Sequence, residues 1–210
     1  MKSFAVAICA PSGTGKTTVA RALVQGGTGL LFSVSATTRP ARAGEQPGVD
    51  YHFVGRDEFE AMIERGELLE WAEVHGELYG TPRANLERAE RQGELLILDI
   101  DVQGAQQVVT ARPDTVTIFL LPPSLGALLE RLRNRESEDE VRLRQRLETA
   151  QRELERLDAF EYVVVNDRLE ETVARVSSII VAERQRRERQ AEPLAALRRR
   201  LQEDLERERR

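Results

Sequence analysis

Short, continuous apolar runs recur along the chain at Phe4–Cys9, Leu31–Ser35, Leu95–Ile100, Val116–Leu121 and Tyr162–Val165. They do not alternate with polar residues, which is the pattern of strands covered on both faces. Between them lie segments with helical spacing of apolar positions: Lys16–Val24, Pro82–Arg91, Ser124–Arg133, Glu140–Leu157 and Leu169–Ala182. In Ser124–Arg133 the residues Leu125, Leu128, Leu129 and Leu132 share one face, and in the last segment Leu169, Val173, Val176 and Ile180 do the same. Thr81 reads as a helix N-cap and Pro82 as the first helical residue. Strands alternating with helices predict the α/β class, with a five-stranded parallel sheet flanked by helices.

Two stretches depart from this rhythm. Residues 36–80 hold the turn-rich run Thr38-Arg39-Pro40-Ala41-Arg42-Ala43-Gly44, the apolar Tyr51-His52-Phe53-Val54 and a short helical pattern near Asp57–Arg65. They read as a small α+β insertion on the rim of the sheet. Asn134–Gln145 is nearly all charged or polar, which with the preceding helix suits an exposed helical lid over 125–146. The expected layout is one domain over 1–184, with its core in 1–35, 81–124 and 147–184. A charged helical tail follows over 185–210. Leu194, Leu197, Leu201 and Leu205 form a thin apolar stripe there, and Pro193 is expected to interrupt it. The tail reads either as a solvated helix or as a partner contact.

Composition narrows the function classes. Of 210 residues, 40% are hydrophobic, enough for a sizeable core, and 32% are charged. A net charge of −5 offers no basic field for nucleic acid. Lys2 and Lys16 are the only lysines, so positive charge is carried almost wholly by arginine. The lone Cys9 excludes an internal disulfide, and His52 and His75 are too scattered for a metal site or a triad. The N-terminal apolar run sits at the short limit for a secretory segment, and the residues after it are better explained as a phosphate loop. No run approaches the ~20 apolar residues of a membrane span. A soluble, reduced, cytoplasmic protein without a membrane or nucleic-acid partner is expected; monomer and homo-oligomer both stay open.

The strongest chemical signal is Ala10-Pro11-Ser12-Gly13-Thr14-Gly15-Lys16-Thr17, directly behind the first apolar run. A strand, a glycine-rich turn and a helix start form a cradle for a nucleotide polyphosphate. Glycines let successive backbone N–H groups turn inward, and the helix N-terminus adds positive potential. Lys16 supplies a mobile charge for the outer phosphates, and the Thr17 hydroxyl can sit on Mg²⁺. Ala10 stands where this pattern usually has its first glycine. Asp99 and Asp101 end an apolar strand, where one acid can hold Mg²⁺ and either can cap the next helix. Arg39 and Arg42, with Tyr51 and Tyr79, describe a second anion site. Arg131, Arg135 and Arg146 of the lid are candidates to close over a moving phosphoryl group, or are plain surface.

Taken together these residues resemble the guanylate kinase family, from Ser3 to about Arg184. The specific block is Ser33-Val34-Ser35-Ala36-Thr37-Thr38-Arg39-Pro40-Ala41-Arg42-Ala43-Gly44-Glu45, followed by Gly48-Val49-Asp50-Tyr51-His52-Phe53-Val54. Glu70-Trp71-Ala72, Tyr79-Gly80-Thr81, Leu98-Asp99-Ile100-Asp101-Val102-Gln103-Gly104 and Val165-Asn166-Asp167 support it. The resemblance implies a P-loop NTPase-type core and transfer of the ATP γ-phosphoryl to GMP, and to dGMP, with Mg²⁺ accompanying ATP. It implies that Ala10 to Thr18 (Ala10, Pro11, Ser12, Gly13, Thr14, Gly15, Lys16, Thr17 and Thr18), Arg135 and Asn166 bind ATP. Arg39, Arg42, Tyr51 and Tyr79 then meet the GMP phosphate, and Ser35, Glu70, Gly80, Thr81 and Asp101 line the guanine side. Thr17 and Asp99 hold the metal, and Lys16, Arg39, Arg131, Arg135 and Arg146 act at the transferred group. The lid lacks the glycine that many relatives carry after the residue matching Arg135. A scaffold domain of the same fold, or a kinase with another phosphate acceptor, is the alternative. The intact loop argues against the first, and Glu70 with the Arg39/Tyr51 block against the second.

Overall fold

The computed structural model describes residues 3–74, 76–133 and 140–209. In chain order the strands are β1 (Ala5–Cys9), β2 (Leu30–Phe32), β3 (Ala36–Thr37), β4 (His52–Phe53), β5 (Leu68–Val74), β6 (Glu77–Pro82), β7 (Leu95–Asp99), β8 (Val116–Leu121) and β9 (Tyr162–Val165). The helices are α1 (Lys16–Gly26), α2 (Arg56–Glu64), α3 (Arg83–Gln92), α4 (Val102–Ala111), α5 (Leu125–Arg133), α6 (Glu140–Leu154), α7 (Leu169–Arg184) and α8 (Ala191–Glu208).

Among these residues a five-stranded sheet runs β2-β7-β1-β8-β9, with every pair parallel. The expected α/β architecture is what forms. All of β1 is buried because its two faces enter different cores. Phe4, Val6 and Ile8 pack against Val19, Ala20 and Leu23 of α1 and Val176 and Ile180 of α7. Ala5, Ala7 and Cys9 pack on the opposite face with Ala105 and Val108 of α4 and with Phe119. This two-sided burial explains the unbroken runs of β1, β7 and β8; the edge strands β2 and β9 are only partly covered, and Val163 and Val165 of β9 are exposed. Truncating a large residue here, such as Ile97 or Leu98, costs about 2–5 kcal/mol.

The insertion forms its own four-stranded sheet, β4-β3-β6-β5, around Ala36, Phe59, Leu68 and Leu78. β5 and β6 are an antiparallel pair that local pattern alone does not announce. Gly80 is needed there: a Cβ on it would meet the Glu70 carbonyl oxygen at 2.9 Å and side-chain atoms of Leu68 and Phe59 at 3.0 Å.

Several local expectations change. Thr81 does not cap a helix; it lies in β6, and α3 begins at Arg83 with Pro82 at the N-cap. The second strand is Leu30–Phe32 rather than Leu31–Ser35. α6 stops at Leu154, short of Leu157. α4 adds a helix to the expected set, and Asp101 does there what a capping acid should, accepting from the Gly104 N–H at 2.7 Å. Pro193 does not break the tail helix, because it falls in the first turn of α8, where its missing N–H has no partner to lose. The tail is anchored before α8 begins. Glu183, 2% exposed, accepts from the Tyr162 hydroxyl at 2.5 Å and pairs with Arg189 at 3.0 Å. The Arg189 guanidinium stacks 3.8 Å from the Phe4 ring centroid. Beyond this anchor the leucines of α8 are exposed.

Candidate active site

The phosphate loop joins β1 to α1 at the carboxyl edge of the parallel sheet. Gly13 and Gly15 take φ of 85° and 92°, left-handed values that only glycine adopts freely. Gly15 is the N-cap of α1 and makes no side-chain cap bond, so the first N–H groups of the helix point outward. Lys16 lies 3.1 Å from Asp99 Oδ1 and donates to the Ile100 carbonyl at 2.6 Å. Burial alone would lower the lysine pKa, but Asp99 beside it raises it above its ordinary value, so the ammonium stays charged. The Thr17 hydroxyl donates to Asp99 Oδ2 at 2.5 Å. Parallel register sets Ile8 against Asp99, which brings the acid to the strand end beside the loop.

The loop is braced from below. Asn166 Nδ2 donates to the Thr14 carbonyl at 2.6 Å, and Arg131 reaches the same oxygen at 3.0 Å and the Asn166 carbonyl at 3.3 Å. Asn166, expected near the donor, and Arg131, expected at the transferred group, both bond the Thr14 carbonyl of the loop, and Arg131 also bonds the Asn166 carbonyl. A Cβ on Gly15 would come 3.1 Å from Asn166 Nδ2, which adds a steric reason for glycine there. Arg135 lies outside the described residues, and of Arg146 only its place on α6 is described.

The insertion supplies the other wall. Arg39 is held by Glu45 at 2.8 Å and by the Pro40 carbonyl at 2.7 Å. Its guanidinium lies 5.4 Å from the Tyr51 ring centroid, and Tyr51 and Tyr79 meet edge to face at 6.0 Å. Burial and the charge of Asp99 raise the Tyr51 pKa, so its hydroxyl stays a donor. Arg21 ties α1 to this wall through Asp50 at 2.6 Å.

Glu70 is 4% exposed on β5 and accepts from the Thr81 hydroxyl at 2.7 Å. Burial, helped by Asp101, pushes its carboxyl up to about 7, against the opposing pull of Thr81 and Lys16. Its second oxygen faces Gly104 of α4, where an added Cβ would sit only 2.5 Å away. Gly104 is thus a positioning residue. A glycine in the first turn of a helix, three residues after its cap, is the sequence signal for such a close approach. Glu153 of α6 reaches the loop from the other side, and nothing in its charged helical context announced it.

Two adjoining cavities result. One, of about 240 Å³, is lined by Ala10 to Thr17 together with Glu70, Gly80, Asp101 and Glu153. The other, of about 540 Å³, is lined by Thr18, Arg21, Arg39 and Glu45 among others. Thr17, Ser35, Arg42, Tyr51, Tyr79 and Asp99 line both, so they form a common wall. Lys16 and Arg39 face neighbouring compartments of one cleft. Among the described residues no group of three or more His, Cys, Asp or Glu side chains could hold a metal unaided, and no helix is long and apolar enough to cross a membrane.

Comparison with known proteins agrees with this geometry. The guanylate kinase family profile matches residues 2–183. A guanylate kinase of Thermus thermophilus is 52% identical over 189 residues, covering 90% of this chain and 86% of that one. One from Myxococcus xanthus is 46% identical over 183 residues, covering 87% and 88%. The crystal structure of guanylate kinase from Anaplasma phagocytophilum superposes with a TM-score of 0.73 at 38% identity, covering 88% of each chain. The chain belongs to the guanylate kinase family and phosphorylates GMP to GDP at the expense of ATP.

Proposed function

We propose that the loop cavity seats the ATP phosphates and that the insertion wall presents GMP to them. The observation that supports this reading is the common wall of Thr17, Ser35, Arg42, Tyr51, Tyr79 and Asp99, which opens the Arg39 side onto the cavity where the loop faces Glu70, Gly80 and Asp101. Loop N–H groups and Lys16 hold the donor's outer phosphates. Arg39, Arg42, Tyr51 and Tyr79 hold the GMP phosphate, whose oxygen attacks in line. That oxygen is already anionic near neutral pH, so no general base is assigned. Glu70 accepts the guanine N1–H and 2-amino group together, with Ser35, Gly80, Thr81 and Asp101 around the ring. Adenine offers a lone pair at N1 and no 2-amino group, so it leaves the carboxylate unmatched. The same contacts admit dGMP.

Thr17 and Asp99 fit a magnesium site that arrives with ATP. A hydroxyl and a carboxylate are hard oxygen donors, and water and phosphate complete the shell of such an ion. The chemistry supplied there is neutralisation of charge on the outer phosphates. Lys16 and Arg131, with Arg135 and Arg146, offset the charge of the moving phosphoryl group. The insertion 36–80 and the lid 125–146 close on the core when both substrates are bound and exclude water. The tail 185–210 stays outside this cycle. The enzyme works in the cytoplasm on these two small molecules.

The test is a coupled assay with ATP against GMP, dGMP, AMP and UMP. Turnover is expected with GMP and dGMP and only slight turnover with AMP and UMP. AMP used as well as GMP would overturn the role of Glu70.

A further inference from the structure

Glu153, in the last turn of α6, is an acid lining the loop cavity that the transfer chemistry leaves unused. Its side chain lines the same cavity as Ser12 and Lys16 of the phosphate loop. Its Oε2 atom is fully buried and has no hydrogen-bond partner. Burial and the nearby Asp101 push its carboxyl up to about 7, while Lys16 and the Ser12 N–H pull the other way. Lys16 feels the Glu153 charge in turn.

A loop of inward N–H groups with a lysine beside it is a seat for anions. A side-chain carboxylate lining the same cavity as that lysine and those N–H groups is a competing anion for that seat. A polyphosphate entering the loop brings several negative charges against it, and like charges a few ångström apart in a partly buried site repel strongly. The buried oxygen without a partner has no hydrogen bond to lose when the side chain moves away. Leaving the loop requires Glu153 to swing away or α6 to shift, and α6 is the helix that carries Arg146.

We propose that Glu153 is a built-in competitor for the donor-phosphate seat, which sets the affinity for the donor and ties filling of the loop to displacement of α6. The proposal rests on the loop being the donor site. It is tested with tripolyphosphate, an adenine-free probe, titrated calorimetrically into the full-length protein and into Glu153→Gln, Glu153→Ala and Lys16→Ala. Glutamine keeps the shape but removes the charge, so it remains informative if the alanine variant folds poorly. Tripolyphosphate is expected to bind both Glu153 variants about five- to tenfold more tightly than wild type, while GMP affinity stays within about twofold. Unchanged or weaker tripolyphosphate binding in Glu153→Gln overturns the proposal, as does an equal gain for GMP, which would mark a general charge effect. Lys16→Ala separates the two layers. If it abolishes binding while Glu153→Gln changes nothing, only the competitor is lost; if it binds as wild type, the donor reading beneath it falls.

Discussion

In the proposed division of the cleft, the donor half is built from backbone and the acceptor half from side chains. On the proposed donor side one unbroken stretch, Ala10 to Thr17, lines the cavity, and two left-handed glycines make the turn. Asn166 and Arg131 stiffen it through a single carbonyl, that of Thr14. On the acceptor side Ser35, Arg39, Tyr51, Glu70 and Tyr79 come from strands and loops far apart in the chain, and they are oriented by one another. Arg39 leans on Glu45 and Tyr51, and Glu70 on Thr81. A backbone cradle recognises phosphate and is indifferent to most side-chain changes around it. A side-chain site reads the shape of a base, and each member it loses strands a buried partner.

The contrast makes graded predictions. Lys16→Ala should have the largest effect: turnover falls about a thousandfold, the scale of removing a preorganised charge at the transferred group. Equilibrium binding of GMP should survive, and its loss would show that the halves are not separable. Next comes Glu70→Gln. It leaves one guanine donor facing an amide N–H, so kcat/KM for GMP should drop about a hundredfold. The ATP KM should stay within about twofold, and equal losses for both nucleotides would contradict the assignment.

Gly104→Ala probes whether the acceptor side depends on close packing. Its Cβ would sit 2.5 Å from Glu70 Oε2 and 3.0 Å from the carboxyl carbon. The carboxylate must move, and GMP affinity should fall about tenfold with thermal stability nearly kept. Unaltered GMP affinity would remove Gly104 from the site. A similar effect should follow from pH. On the proposed reading guanine needs the ionised carboxylate, and burial pushes the Glu70 carboxyl up to about 7. Lowering pH from 8 to 6 should therefore weaken GMP about tenfold through this group. In Glu70→Gln that part of the slope should vanish, leaving the ionisation of the GMP phosphate itself; an identical slope in both proteins rules Glu70 out as the titrating group.

The smallest effect is on stability. The Glu70 pKa is raised in the folded chain from 4.5 to about 7. Between these values the native state holds more protons than the unfolded one. Wild-type stability thus declines as pH rises through this window, and the loss is complete above it. Glu70→Gln escapes the decline and should be more stable above pH 7 by on the order of 1–3 kcal/mol. Melting curves at pH 5 and pH 8 would show the gain only at the higher pH. Such a gain alongside lost GMP binding is the signature of a strained functional acid.

What could be read along the chain was whatever neighbours decide. The phosphate loop, the five strands of the parallel sheet and the capping role of Asp101 depend on residues within a few positions of one another, so composition and spacing express them directly. The guanidinium and tyrosine cluster is visible in the family block, yet its mutual support through Glu45 could not be seen there. The β5–β6 pair, the diversion of the Thr81 hydroxyl from helix cap to Glu70, the need for glycine at Gly104 and the reach of Glu153 into the loop were hidden. Each is a contact across the chain: Thr81 and Glu70 meet because antiparallel register sets them side by side, and Glu70 and Gly104 meet because α4 lies against β5. The buried Glu183–Arg189 pair was equally silent, since both residues look like members of a solvated, charge-rich tail.

By itself, then, the amino-acid order determined the class of fold and the grip on polyphosphate, because strand burial, left-handed glycines and a helix start are local properties of backbone and side chain. Only the folded molecule decided how far the Glu70 carboxyl is pushed up, which glycine makes room for it, and which acid rests in the loop. Those depend on dehydration and distance between segments, and neither quantity exists until the sheets and helices have packed.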